Sequence, residues 1–216
     1  LSPQNSQILL IIYSSLLFAY SIMPLDIMFS TEEWQIKYQE GRFAWLPGEA
    51  VNAIQVIGGT IAEIDIDAPP SAIWPVITDI NLSAAYSPEF QGAEWVDSDA
   101  PIGVGSSFVG TNHNDAFGEF KVPSFIDTFD ENVSFGWRTS DVGNPGARWR
   151  FDLESTGSNT RLRYSMILGP GPSGLTMAIE SMPDKEDRII NRRVRTQHTA
   201  MLQVVAGVKR TVEAAI

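Results

Sequence analysis

Between Pro183 and Val212 the sequence carries one long amphipathic helix, and a helix of that length dictates what the rest of the chain must supply. Asp184, Glu186 and Asp187 occupy its first turn, and Lys209 and Arg210 lie near its end, the order the helix dipole favours. At about 100° per residue, Ile190, Val194, Met201, Val205, Val208 and Val212 fall within about 60° of one another. Arg188, Arg192, Arg195 and Glu213 fall on the opposite side. Gln197 is a polar interruption inside the apolar stripe, between Val194 and Met201. At ~1.5 Å per residue the helix is about 45 Å long, so its stripe needs a long apolar surface to lie on.

The residues before it are patterned to make that surface. Ala62, Ile64 and Ile66 alternate with polar neighbours from Thr60 onward, the period of a strand with one buried face. Ala68-Pro69-Pro70 stops this strand. Ser71 is placed to cap a short helix holding Ile73, Trp74, Val76 and Ile77, with Pro75 late in its first turn, and Asn81–Tyr86 forms a second. Strand-like runs follow over 92–97, 105–112, 117–129, 132–139, 147–155 and 160–168, separated by Gly-, Pro-, Asn- and Asp-rich turns. Pro123 inside one of them predicts a local edge or a bulge. Connections this short predict an antiparallel sheet. The expected fold is therefore α+β: a curved seven-stranded antiparallel sheet around a long C-terminal helix, with two short helices after the first strand.

The large residues expected on the inner face of that sheet are Trp95, Phe108, Phe120, Phe135, Trp137, Trp149, Phe151 and Tyr164. A sheet curled around one helix tends to leave a cavity between them, apolar with a few polar groups, which is the usual form of a small-molecule site. Tyr86, Ile179, Gln197 and Met201 are expected to complete its lining, with the segment from Leu175 to Met182 lying across its mouth.

Residues 1–59 read as a separate extension and 60–216 as the folded domain. Ile8 to Tyr20 is apolar but shorter than a membrane span, and no basic residue precedes Lys37, as a signal peptide would need. The expectation is a cytoplasmic protein, membrane-associated only if residues 8–20 act as an anchor. Ser30-Thr31-Glu32-Glu33 is a capping box opening a helix to about Glu40, and residues 48–59 read as a linker. The formal net charge of −11, from 26 acidic and 15 basic residues, argues against a nucleic-acid partner. The absence of cysteine rules out disulfides and thiolate metal sites. Two histidines, His113 and His198, are too few for a histidine-rich metal site. No metal and no cofactor is expected.

Several segments together resemble a known family. They are Ile66-Asp67-Ala68-Pro69-Pro70-Ser71-Ala72-Ile73-Trp74, Tyr86-Ser87-Pro88-Glu89, Ala93-Glu94-Trp95, Ile102 to Phe108, Phe135-Gly136-Trp137 and Ala147 to Phe151. In this order the chain resembles the START-like (SRPBCC) superfamily with its helix-grip fold, and within it the polyketide cyclase/dehydrase-like proteins. The resemblance covers about residues 60–214. It implies the fold more than an activity, because the superfamily hosts carriers, receptors and cyclases.

Gly169-Pro170-Gly171-Pro172-Ser173-Gly174 matches G-x-G-x-x-G in letters only. It lacks a following strand, and two of its residues have no N–H to offer a phosphate, so it reads as a turn into a short helix. Three functional readings stand at this point. The first is a carrier of an apolar or amphipathic small molecule, such as a lipid, a sterol or a polyketide-like compound. The second is a cyclase or dehydratase using the same pocket, with Tyr164, Gln197, His198 and Tyr86 as candidate catalytic residues. The third is a structural or partner-binding domain whose cavity has collapsed. Oligomeric state is not readable from the sequence.

Overall fold

The computed structural model describes residues 42–46, 49–52, 58–115 and 118–216. The predicted helix over 30–40 and the apolar run over 8–20 lie outside the described residues. The linker reading of residues 48–59 is corrected at 49–52 and 58–59, which are strand; residues 48 and 53–57 lie outside the described residues. Arg42–Leu46 (β1) and Glu49–Asn52 (β2) pair as an antiparallel two-stranded sheet, and the first strand of the main sheet starts at Gly58 rather than Thr60. Strands of four and five residues show too few alternations to stand out in the sequence.

The main sheet has seven strands in the order β3-β9-β8-β7-β6-β5-β4, all antiparallel. They are Gly58–Ile66 (β3), Phe90–Trp95 (β4), Ser107–Asn114 (β5), Gly118–Asp130 (β6), Ser134–Thr139 (β7), Ala147–Thr156 (β8) and Asn159–Leu168 (β9). Pro70–Ile77 (α1) and a 3-10 turn at Leu82–Ala85 close one end. Gly174–Ser181 (α2) and Glu186–Glu213 (α3) complete the chain. Pro69, not Ser71, is the N-cap of α1, so Pro75 lies inside the helix rather than in its first turn.

Register puts aromatic and aliphatic side chains in rows across the sheet. Phe135, Phe151, Tyr164 and Ala62 form one row; Ile126, Trp137, Trp149, Met166 and Thr60 form the next. The other face carries ion pairs: Asp127 with Arg138 and Arg148, Arg150 with Asp152, Arg163 with Glu63, and Arg161 with Asp65. The arginines that alternate with Trp149 and Phe151 thus lie on the face away from the core, as the period-2 pattern requires. Pro123 sits opposite Val109 in β5, just beyond the pairing of Ser124 with Thr139 that ends β7. Its carbonyl accepts from Ser140 N at 2.8 Å, where β7 has ended, so on that side Pro123 lies at a local edge. The bulge in this pair of strands lies further on, between Ile126 and Thr128.

Helix α3 packs chiefly on β3, and the two run in the same direction. A Cβ on Gly58 would touch Ile190 and Val194; Thr60 Oγ1 lies 2.7 Å from His198 Nδ1; Lys209 Nζ donates to Asp65 O at 2.7 Å; Glu213 Oε1 accepts from Asp67 N at 2.9 Å. All six predicted stripe residues are buried, together with Val204 and Gly207. Because the helix is seated along one edge of the curved sheet, the strands at the other edge stand off from it. The space between them is the cavity described below.

Candidate functional site

The cavity has a volume of about 490 Å³. Its floor is the inner face of β5 to β9, its roof is α3, and its ends are formed by α1 with the 3-10 turn and by the start of α2. The floor is a connected aromatic wall. Trp137 stacks on Trp149 with ring centroids 6.3 Å apart and planes 10° apart. Phe151 stacks on Tyr164 at 4.0 Å and 14°. Phe108 meets Trp137 edge-on at 6.1 Å. Such a wall offers flat apolar surface to a ligand and holds its own rings in place through their mutual contacts.

Of the residues singled out in the sequence, Phe108, Phe120, Phe135, Trp137, Trp149, Phe151, Tyr164, Gln197 and Met201 lie on the cavity wall. Four others do not. Trp95 packs edge-on against Phe108 at 5.6 Å, on the outermost strand and one ring removed from the cavity. Ile179 packs on the hydrophobic core; the residues of α2 that reach the cavity are Gly174, Leu175 and Met177, from its first turn. Tyr86 is taken by α3. Its ring occupies the space where a side chain on Gly207 would be, and Arg210 stands 6.0 Å over it.

His198 faces β3 instead of the cavity and bonds Thr60, which is fully buried. Burial lowers the pKa of His198 below its ordinary value. The proton therefore binds more tightly in the unfolded chain, and stability rises with pH. This contribution is complete above about pH 6.5 and is lost as the pH falls below it. The urea midpoint is expected to drop between about pH 7 and pH 5.5, and His198→Gln to flatten that slope. A slope unchanged in the variant would remove His198 as its source.

Tyr164 is buried, and burial pushes its hydroxyl pKa far above the ordinary value, opposed by a hydrogen bond with Ser83 of the 3-10 turn. The phenol is held neutral, hydrogen-bonded to Ser83. At the other side of the roof, Arg193 forms an ion pair with Glu89, and both line the cavity. The Gln197 amide joins them. Turned so that its oxygen faces Arg193, it accepts from the guanidinium, with Nη2 at 2.7 Å. Gln197 is thus a paired residue, which answers the cost of a polar group in an apolar stripe. Glu89, Arg193 and Ser83 were not among the site residues expected from the sequence. Arg193 had a legible signal: it precedes Gln197 by four residues and so shares its face of the helix.

The glycine- and proline-rich segment makes a turn into α2, whose start carries a capping box between Ser173 and Thr176. Gly169 N donates to Gly146 O and Gly171 N to Pro145 O, both at 2.8 Å, so these groups are committed to the loop after β7. A Cβ on Gly171 would fall 1.8 Å from the Asn144 carbonyl oxygen, so only glycine allows the two loops to meet. Among the described residues, no group of three or more His, Asp or Glu side chains is arranged to hold a metal ion, and no helix is long and apolar enough to cross a membrane.

Comparison with solved structures finds the same architecture elsewhere. A Polyketide_cyc-like protein from Corynebacterium glutamicum superposes with a TM-score of 0.54 at 23% identity, covering 74% of this chain and 93% of that one. The Zhui aromatase/cyclase from a Streptomyces species superposes with a TM-score of 0.53 at 18% identity, covering 73% and 96%. A protein from Thermus thermophilus gives 0.50 at 15%, covering 73% and 98%. At these identities the likeness is one of fold. Among curated proteins, none matches the chain. Residues 61–186, more than half of the sequence, match the family described as polyketide cyclase / dehydrase and lipid transport. With its antiparallel sheet closed by a long C-terminal helix and its match over that span, the chain belongs to the polyketide cyclase/dehydrase and lipid-transport family of the START-like superfamily.

Proposed function

We propose that the protein binds an apolar or amphipathic small molecule in the cavity between the sheet and α3. The observation that carries this reading is the open volume of about 490 Å³ behind an aromatic wall. It lies within the roughly 300–1,000 Å³ of small-molecule sites and has the same composition, apolar with a few polar groups. A collapsed core would have filled that space, since interiors pack closely. Three of the polar groups on the wall, Tyr164, Arg193 and Gln197, favour binding over catalysis. Tyr164 is paired with Ser83, and Arg193 with Glu89 and Gln197, so each is already satisfied by a neighbour. The ligand would be a lipid-, sterol- or polyketide-like compound with its apolar body against Trp137 and Trp149.

The direct test is uptake of the neutral fluorophore N-phenyl-1-naphthylamine, with native mass spectrometry of the purified protein for a retained molecule. Ala200 lines the roof, and Ala200→Trp would fill the volume from the helix side. Uptake is expected in the native protein and should weaken about tenfold or more, ~1.4 kcal/mol, in the filled variant. No uptake by the native protein, or equal uptake by a folded Ala200→Trp variant, would count against the cavity as the binding site.

A further inference from the structure

We infer that the Glu89–Arg193 ion pair is a charge filter: it admits ligands whose head group is neutral and both donates and accepts hydrogen bonds, above all a hydroxyl, and rejects a carboxylate on the same skeleton. The inference rests on the cavity being a small-molecule site, as proposed above.

Three charged residues line the cavity: Asp79, Glu89 and Arg193. Asp79 is exposed, and its Oδ1 accepts from Asn81 N at 2.9 Å. The charges facing the interior are therefore one carboxylate and one guanidinium, held against each other, with side chains 17% and 32% exposed. The carboxylate is no loose counter-ion. The Glu89 backbone is tied on both sides, its N–H donating to Ser87 Oγ at 3.3 Å and its carbonyl accepting from His113 N at 2.8 Å. The Gln197 amide, 3.4 Å from Glu89 Oε2, also holds the guanidinium.

A ligand carboxylate entering this end has two options. It can displace Glu89 from Arg193, competing against a partner on the same chain whose effective concentration is far higher than its own. Or it can lie beside Glu89, where two like charges meet in a partly desolvated site. Neither is favourable. A hydroxyl needs neither, because it can accept from a guanidinium N–H and donate to the carboxylate while the pair stays closed. Arg193 and Glu89 together present a donor next to an acceptor, which a hydroxyl matches and a carboxylate does not.

The test is a ligand series of one shape: naphthalene, 2-naphthol and 2-naphthoate, each displacing N-phenyl-1-naphthylamine at about pH 7, where the carboxylate is ionised. In the native protein 2-naphthol is expected to bind about tenfold or more tighter than 2-naphthoate. In Glu89→Gln the guanidinium loses its counter-ion, and 2-naphthoate should gain about tenfold or more relative to 2-naphthol. Equal or tighter binding of 2-naphthoate by the native protein would overturn the inference, as would a preference unchanged in Glu89→Gln. Naphthalene separates the two levels. If it binds while the charged and neutral derivatives are not distinguished, only the filter fails; if none of the three binds, the binding function fails with it. Should Glu89→Gln not fold, the native series alone decides.

Discussion

Phe151→Ala is expected to lower the unfolding free energy by about 3–5 kcal/mol, the cost of removing a large aromatic side chain from a packed interior. Phe151 is 2% exposed. It stands between Phe135 of β7 and Tyr164 of β9 in one cross-strand row and stacks on Tyr164 at 4.0 Å. Truncation removes that stacking partner and enlarges the cavity beside it, because neighbours fixed by the sheet register cannot close in. The loss should appear as a lower urea midpoint with an unchanged slope. A loss below about 1 kcal/mol would mean that the site was already open on that side, and that the aromatic wall contributes little to holding the sheet.

The second large effect is expected at Gly207. A Cβ placed there would lie 2.1 Å from Cζ of Tyr86 and 2.5 Å from its hydroxyl oxygen. Gly207→Ala therefore lifts the ring off α3 and breaks its approach to Arg210. Overpacking of this kind costs roughly 1–3 kcal/mol, and the severity of the overlap places it at the upper end. Alanine returns about 1 kcal/mol of helix propensity, leaving a net loss of about 2 kcal/mol. A double-mutant cycle checks the mechanism. Tyr86→Ala should cost stability in the native background and almost none beside Gly207→Ala. If the two losses simply add, the contact between ring and helix is not what makes glycine necessary.

The pair also shows what a sequence leaves out. Tyr86 was expected to line the cavity. Its actual partner is a glycine far along the chain, and no local pattern announces that α3 is bare at that point. His198, a catalytic candidate from the sequence, is bonded to Thr60 on the strand that the helix follows, a partner that no local pattern announces. Gln197 shows the opposite case. Its place in the stripe marked it as a residue needing a partner, and Arg193 one turn earlier lies on the same face, so the satisfied amide was legible had both been read together.

What the sequence by itself determined was the set of faces. Period-2 alternation assigned Trp137, Trp149 and Phe151 to one side of the sheet and Arg148 and Arg150 to the other, since side chains on a strand have only two directions to choose from. The 3.6-residue period assigned the stripe from Ile190 to Val212 to the buried side of α3. Only the tertiary structure decided how far apart those two faces stand. The helix is seated on β3 through Gly58, Thr60 and Asp65, contacts between residues more than a hundred positions apart, and the sheet curves away from that line. Curvature and seating together leave aromatic residues facing open space where close packing could equally have joined them to the core. They also bring Glu89 from the loop before β4 to Arg193 on α3. Periodicity reports which way a side chain points, but the distance to what it points at is set by the whole chain at once.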